Sequence, residues 1–388
     1  MGHHHAPPGL GEPEFFAHTH SSGVPVGPPE AQRLHLSGVV LPGGDRTDLW
    51  MVDGLVRTEP VADAVTVCSD AWIMPGLVDA HCHVGLGAQG AVSSEVALAQ
   101  AGADRDAGTL LIRDAGSPVD THWIDDRPDL PRIIRAGRHI ARPKRYIRNY
   151  AEEVEPEALV EEVARQAIRG DGWVKLVGDW IDRDRGDLAP LWPEDIAAAA
   201  ITRAHELGAR VTAHCFGEES VHGLVRAGID GIEHGTGLDD STIALMAERR
   251  VALVPTLVNL ENFPAFADSG EAKFPGYAAH MRALHARRFA TIAAAVDAGV
   301  GVFAGTDAGG TIDHGMIGTE IGLLARIGGS EFALGAASWR ARQWLGAPPL
   351  ADGCWADLVV YDADPRRDVV ATLHPLLVIL RGRVVLSR

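Results

Sequence analysis

The residues best suited to chemistry are four histidines, a lysine and an aspartate, each inside or at the end of a predicted buried strand. They are His81 and His83 in DAHCHV, Lys175 in WVKLVGD, His214 in VTAHCFG, His234 in GIEHGT and Asp307 in AGTDAG. Neutral imidazoles and carboxylates suit Zn²⁺ and related divalent ions. The set therefore predicts a metal site, whose chemistry needs no serine or cysteine nucleophile.

The spacing of the first two histidines fits a strand. Side chains alternate along a strand, so His81 and His83 can both point inward while Cys82 points toward the surrounding helices. A second pair of this spacing, His18 and His20, has no strand around it. The spacing alone is therefore weak evidence, and the prediction depends on the whole set falling on strands together.

Lys175 is one of only three lysines among 35 basic residues. Apolar residues flank it on both sides, where an unpaired ammonium group would be costly. Two dications would also repel it, unless reaction with CO₂ converted the amine to a carbamate that bridges them. The alternative is a lysine that pairs with a carboxylate or extends to solvent.

Eight strand candidates precede stretches that include clear helical periodicity, such as residues 157–170 and 193–208. The predicted strands are Met74 to His83, Thr109 to Asp114, Arg132 to Ala136, Trp173 to Val177, Arg210 to His214, Gly231 to His234, Val251 to Thr256 and Gly301 to Asp307. This alternation predicts an α/β fold, a (β/α)₈ TIM barrel with its site at the carboxyl ends of the strands.

The two ends of the chain have a different pattern. Residues 32–74 and 347–388 alternate apolar and polar residues in short segments, which predicts one small β-sandwich domain built from both ends. Residues 75–346 would then form the barrel. Residues 1–31 are rich in Pro, Gly and His, and we expect a flexible N-terminal arm there.

The composition and net charge of the chain limit which partners it can bind. The 388 residues are 46% apolar and carry a net charge of −17, which argues against nucleic acid or an anionic membrane as partner. A small-molecule substrate is the expected partner. Whether the chain forms a homo-oligomer is left open by the sequence. The four cysteines are scattered and the first residues carry no export signal, so we expect a cytoplasmic protein.

At these residues the sequence resembles the amidohydrolase superfamily, over about Arg33 to Arg388. The matching segments are MPGLVDAHCHV, GTLLIRDAGS, WVKLVGD, VTAHCFG, GIEHGT, VPTL, AGTDAG and GCWADLVVYDADP. The branch that it most resembles is the imidazolonepropionase-like, binuclear group, which includes metal-dependent dipeptidases and acyl-amino-acid hydrolases.

The resemblance implies two divalent ions, expected to be Zn²⁺, and a catalytic role for Asp307. The implied ligands are His81, His83 and Asp307 on the buried ion, His214 and His234 on the outer ion, and a carbamate on Lys175 between them. Asp307 would also take a proton from a metal-bridging hydroxide and pass it to the leaving nitrogen.

Two loops are expected to contact the substrate. Residues 141–150 hold a basic run, in which Arg145, Tyr146 and Arg148, with Arg142 nearby, would clamp a substrate carboxylate. The alternative is a solvated loop that pairs with the acidic segment 153–162. Residues 258–279 are long enough to act as a lid.

Three functions remain open. The favoured one is hydrolysis of an amide bond in a small carboxylate-bearing substrate, a dipeptide or an N-acyl amino acid. The second is opening of a cyclic amide such as an imidazolone, hydantoin or lactam. The third is a non-catalytic barrel, which is disfavoured because no ligand position is lost.

The sequence departs from three patterns of the superfamily. Its deaminases carry Glu three residues after the histidine of strand five, where this chain has Gly217. Imidazolonepropionases lack a lysine at position 175. Many members of the binuclear group have Gly-Gly-His-Gly after strand three, where this chain reads IARPKRYIRNY.

Overall fold

The structure, a computed structural model, describes residues 33–388, so the arm predicted for residues 1–31 lies outside it. The strands are β1 (Leu34–Val40), β2 (Asp45–Val52), β3 (Leu55–Arg57), β4 (Val65–Pro75), β5 (Leu77–Gly87), β6 (Gly90–Ala91), β7 (Thr109–Asp114), β8 (Arg132–Arg135), β9 (Ile140–Ala141), β10 (Glu152–Glu153), β11 (Trp173–Val177), β12 (Asp179–Asp182), β13 (Asp187–Pro190), β14 (Arg210–Cys215), β15 (Gly231–His234), β16 (Ala252–Val254), β17 (Ala308–Gly310), β18 (Leu358–Tyr361), β19 (Leu377–Leu380) and β20 (Arg383–Ser387). The α-helices are α1 (Ser94–Asp106), α2 (Leu159–Arg169), α3 (Glu194–Glu206), α4 (Glu218–Ala227), α5 (Asp240–Arg249), α6 (Leu257–Leu260), α7 (Phe263–Gly270), α8 (Pro275–Asp297), α9 (Ile317–Ala337) and α10 (Trp339–Trp344).

Two sheets of parallel strands form the centre of the molecule. One has the order β17-β5-β7-β8, and the other has the order β10-β9-β11-β14-β15-β16. Strands β5, β7, β11 and β14 are buried almost throughout, as parallel strands covered by helices on their outer side must be. The predicted α/β class is therefore confirmed.

The predicted eighth strand is wrong in detail. Residues 301–307 form no regular strand, although they lie between the two sheets and hydrogen-bond to both. Phe303 N donates to Leu253 O at 3.0 Å, and Ala80 N donates to Ala304 O at 2.8 Å. The sheets are not closed into one continuous barrel, because residues 301–307 make only the isolated bridge of Val302 with Leu253 and, among residues 33–388, no strand pairing joins β8 to β9.

Strands from both ends of the chain share one sheet, with the order β20-β19-β18-β4-β1-β2-β3. One face buries a cluster that includes Leu36, Met51, Ile73, Leu358 and Ile379. This sheet joins strands from residues 34–75 to strands from residues 358–387. The separate β-sandwich is not confirmed, because all seven strands belong to a single sheet.

The helices follow the predicted periodicity. Helix α2 buries Leu159, Glu162, Val163 and Gln166, which are spaced three or four residues apart on one face. Residues 258–279, the predicted lid, consist largely of α6, α7 and the start of α8. No helix among residues 33–388 combines the length and the apolarity that a membrane span needs.

Gly305 allows the segment 301–307 to lie directly against β5. A Cβ atom at this position would lie 2.5 Å from Cγ1 of Val254 and 2.8 Å from the backbone N of His81. Gly305→Ala should therefore push the segment away and lower the free energy of unfolding by about 1–3 kcal/mol. A lowered thermal midpoint would be the measurement.

Gly102→Ala is the matched control, because a Cβ atom there meets no atom within 4 Å inside helix α1. Alanine should stabilise that helix by up to about 1 kcal/mol. Equal midpoints for the two variants would show that the close approach at Gly305 does not matter.

Candidate active site

The six predicted side chains lie together at the carboxyl ends of the parallel strands. Strand β5 carries two of them, β11, β14 and β15 carry one each, and the last precedes β17; they are His81, His83, Lys175, His214, His234 and Asp307. The four imidazoles and the lysine are at most 4% exposed. Their side chains were predicted to converge, and the structure brings all six into one cluster.

Three hydrogen-bond acceptors meet at the centre of this cluster. Nδ1 of His81 lies 2.6 Å from a carboxylate oxygen of Glu233, and Nδ1 of His83 lies 2.7 Å from the carbonyl oxygen of Gly116. Since those oxygens only accept, both Nδ1 atoms carry a proton, and in a neutral ring the Nε2 atom then presents a lone pair. The two Nε2 atoms are 3.2 Å apart, and each lies 3.0 Å from Oδ1 of Asp307.

The other two histidines form a second pair beside the first. Nδ1 of His214 lies 2.9 Å from Nε2 of His234, whose Nδ1 lies 2.7 Å from the hydroxyl of Thr256. Nε2 of His214 is buried and has no hydrogen-bond partner among residues 33–388. Burial lowers the pKa of His234 to about 3 and that of His214 well below 6.5, so both rings are neutral, as metal ligands must be.

Lys175 is buried in the middle of β11. Its Nζ lies 3.5 Å from Nε2 of His81, and no carboxylate of the described residues comes within 4.0 Å of it. The alternative of a carboxylate-paired lysine is thus not what the geometry shows. Burial lowers the pKa of Lys175 to about 8, which increases the fraction of neutral amine near neutral pH.

Asp307 is held from both sides. Its Oδ1 faces the two histidines of β5, and its Oδ2 accepts a hydrogen bond of 2.7 Å from the side-chain amide of Asn259. Burial raises the pKa of Asp307, but attraction to the His81 ring in its charged form and hydrogen bonds from His81 and His83 outweigh burial and hold the pKa well below 3.8. Asp307, His234 and Thr256 all have positive φ, a conformation that costs energy and clusters at functional sites.

A buried charge pair behind the cluster was missed by the sequence reasoning. Glu233 is fully buried and accepts a hydrogen bond of 2.6 Å from the guanidinium group of Arg113, as well as one from Thr212. Through its other oxygen it fixes the tautomer of His81. The available signal was a charged residue inside each of two apolar strands, in GIEHGT and TLLIRD.

An aromatic wall covers the cluster. The ring of His139 stacks on His83 at 4.8 Å, and the rings of Tyr146 and Trp180 each lie 5.7 Å from His214. Burial lowers the pKa of His139 well below 6.5. His139 was not singled out from the sequence, because a lone histidine in the loop after β8 carries no distinguishing pattern.

The residues of the predicted basic clamp differ in how they are placed: some lie beside the cluster and one is exposed to solvent. Tyr146 packs at the cluster, whereas Arg148 is exposed. Arg145 has an ion pair of 2.9 Å with Asp182 and donates to the carbonyl oxygen of Trp180 at 3.3 Å. Its Nε is buried and has no hydrogen-bond partner in the described part of the chain, so one donor remains available.

The family of this chain follows from comparison with known proteins. A family model described as the amidohydrolase family matches residues 72–385. The chain therefore belongs to the amidohydrolase family, whose members generally use metal ions. It is a hydrolytic enzyme that acts on C–N bonds.

An uncharacterized protein of Mycobacterium tuberculosis is 61% identical over 355 residues, which cover 91% of this chain and 96% of that protein. An ochratoxinase of Aspergillus niger is 28% identical over 230 residues, or 56% of this chain and 47% of the relative. The structure of a prolidase complexed with N-methylphosphonate-L-proline matches with a TM-score of 0.78 at 22% identity, covering 92% of this chain and all of the other. This likeness shows that the fold is shared with amidohydrolase structures, which are TIM barrels.

The pair formed by Arg113 and Glu233 should be strongly coupled in stability. Arg113→Met leaves a buried carboxylate without its cation, which typically costs about 3–5 kcal/mol. Adding Glu233→Gln removes that charge, so the double variant should be less destabilised than the sum of the two single variants. Denaturation midpoints of the unmodified protein, the two single variants and the double variant give the coupling free energy between Arg113 and Glu233.

Arg203→Met is the control for this cycle, since the pair of Arg203 with Glu206 is exposed on α3. Its effect should stay within about 1 kcal/mol, as for other surface pairs. Additive effects of the two buried substitutions would contradict the coupling.

Proposed function

We propose that this protein is a binuclear metal-dependent hydrolase that cleaves an amide bond of a small carboxylate-bearing substrate. The observation that carries the proposal is the meeting of three acceptors, the Nε2 atoms of His81 and His83 and Oδ1 of Asp307. With no proton among them they repel one another, and a cation would convert this repulsion into attraction. Imidazole nitrogen and carboxylate oxygen are ligands that Zn²⁺ accepts.

The proposed ligand sets follow the two pairs of histidines. His81, His83 and Asp307 would hold one ion, and His214 and His234 would hold the other. Nε2 of His214 has no hydrogen-bond partner among residues 33–388 and is free to bind an ion, whereas Nε2 of His234 lies 2.9 Å from Nδ1 of His214, a contact that an ion would replace. Lys175, as a carbamate, would offer one oxygen to each ion.

Two such ions supply a water of lowered pKa and a polarised substrate carbonyl. The residues of the chain supply positioning and proton transfer. Asp307 presents Oδ1 to the cluster and would accept the proton of the attacking water, then give it to the leaving nitrogen. Asn259 holds the other oxygen at 2.7 Å, and so fixes the orientation in which Oδ1 can do this.

A substrate carboxylate is supported by the loop beside the cluster. Arg145 keeps a buried, unpartnered Nε next to Tyr146, whose ring contacts His214. We assign Arg145 and Tyr146 to carboxylate binding, and Arg148 to a peripheral part of the same clamp. The similarity of the chain to an ochratoxinase and to a prolidase is compatible with an amide substrate. A cyclic amide remains the second candidate, because the same ligands would serve it.

Lys175 gives the sharpest test of the binuclear site. Lys175→Ala should lose metal and reduce turnover by at least about a hundredfold, because the link between the two ions disappears. A short carboxylate such as acetate or propionate at high concentration should restore part of both. Lys175→Arg should stay inactive and should not be rescued, because a guanidinium stays protonated and does not capture CO₂.

Lys273→Ala is the matched control, because Lys273 is exposed and its loss should change neither metal content nor turnover. Elemental analysis and a hydrolysis assay report the two quantities. Full activity of Lys175→Ala without added carboxylate would refute the bridging role.

The substrate class can be tested with pairs of compounds that differ only in the carboxylate. The metal-loaded enzyme should hydrolyse dipeptides or N-acyl amino acids with a lower KM than their C-terminal amides. Arg145→Met should raise KM for the free acids by about 10- to 100-fold and leave KM for the amides nearly unchanged, since it removes a charged donor.

Arg185→Met serves as the control, because Arg185 is exposed in the turn between β12 and β13 and pairs with Glu219 at 2.9 Å. Mass spectrometry of products would also reveal cleavage of hydantoins or lactams in place of dipeptides. Equal kinetics for acids and amides in the unmodified enzyme would contradict the clamp.

A further inference from the structure

A second group of metal-binding residue types lies on the outer side of β5. Cys82 points away from its neighbours His81 and His83 and meets Asp104 of α1 and His314 in the loop between β17 and α9. One ligand atom from each, a sulfur, a carboxylate oxygen and an imidazole nitrogen, lies within 4.8 Å of the other two. Cys82 and Asp104 are at most 1% exposed, so the space between these atoms is inside the protein.

Only one of the two ring nitrogens of His314 has a hydrogen-bond partner among residues 33–388. Its Nδ1 lies 2.8 Å from Oδ2 of Asp104, and the adjacent Gly315 N donates to Oδ1 of the same carboxylate at 2.8 Å. Its Nε2 is buried and has no hydrogen-bond partner among residues 33–388. A buried polar atom without a partner is costly, which points to a ligand that the ring can bind.

Three carboxyl groups also lie buried around Cys82, and a cation would stabilise their charged forms. Asp79, Asp104 and Asp114 are each 1% exposed. Asp79 accepts hydrogen bonds from backbone N–H groups and the hydroxyl of Thr306, and Asp114 accepts from two backbone N–H groups. The one ion pair within 4.0 Å of these three carboxylates, in the described residues, is that of Asp104 with His314.

We propose that Cys82, Asp104 and His314 bind a divalent cation of the zinc type, separate from the proposed two-metal centre. Sulfur, imidazole nitrogen and carboxylate oxygen are the three ligand types that Zn²⁺ takes in proteins, and water would fill a fourth position. On binding, the thiol proton leaves to solvent and the sulfur donates its electron pair to the ion. The ion would tie β5, which carries His81 and His83, to α1 and to the loop before α9.

Cobalt substitution separates this site from the proposed catalytic centre. The six side chains of that centre contain no sulfur, so only a cysteine ligand gives a thiolate-to-cobalt charge-transfer band in the near ultraviolet. Chelator-treated protein reconstituted with Co²⁺ should show this band. Cys82→Ser and His314→Gln should each abolish it and bind one Co²⁺ fewer per chain.

Two variants serve as controls. Cys215→Ser removes a buried thiol next to His214 and should keep the band. Lys175→Ala should bind less Co²⁺ and still keep the band, so failure of the catalytic centre and failure of this site remain distinguishable. Because Cys82 lies between two proposed ligands, His314→Gln, checked for folding by circular dichroism, guards against misfolding of Cys82→Ser.

Absence of the band from the unmodified protein would overturn the proposal, and the cluster would then be a hydrogen-bonded pair beside a neutral thiol. Persistence of the band in Cys82→Ser would also overturn it, because the sulfur ligand would have to be another cysteine.

Discussion

Repulsion among buried acceptors is the constraint on which the structure of this site depends. When both rings are neutral, two imidazole lone pairs and a carboxylate oxygen, from His81, His83 and Asp307, lie within 3.2 Å of one another inside the protein. Neither imidazole can relieve the repulsion by changing tautomer, because the Nδ1 proton of each ring is held by an acceptor that needs it. This fixing of both tautomers supports the proposed binding of a cation between the two rings.

The supporting residues explain why the surrounding fold has its irregularities. Glu233 must be charged to hold His81, and Arg113 balances that charge inside the protein. The left-handed backbone at His234 and Asp307 is strain that the adjacent strands sustain. The segment 301–307 has no regular strand pairing, and it places Oδ1 of Asp307 3.0 Å from Nε2 of both histidines of β5.

The sequence predicts the parallel strands well and their supporting contacts poorly. Residues 109–114, 173–177 and 231–234 form strands with the predicted bounds, because their apolar runs are short and end at polar residues or glycine. The six side chains of the cluster follow from those strand ends. Arg113, Glu233 and His139 were missed, since their importance comes from partners distant in the chain. The predicted eighth strand was wrong because the apolar pattern of residues 301–307 does not show that Gly305 lies directly against β5.

The most direct measurement is anomalous X-ray scattering from crystals of the protein loaded with Zn²⁺. We expect two zinc peaks among the side chains of His81, His83, Lys175, His214, His234 and Asp307, with continuous density between the Lys175 nitrogen and both ions. A single peak within that cluster, or no peak, would contradict the binuclear centre. A bare lysine nitrogen beside two bound ions would contradict the carbamate alone.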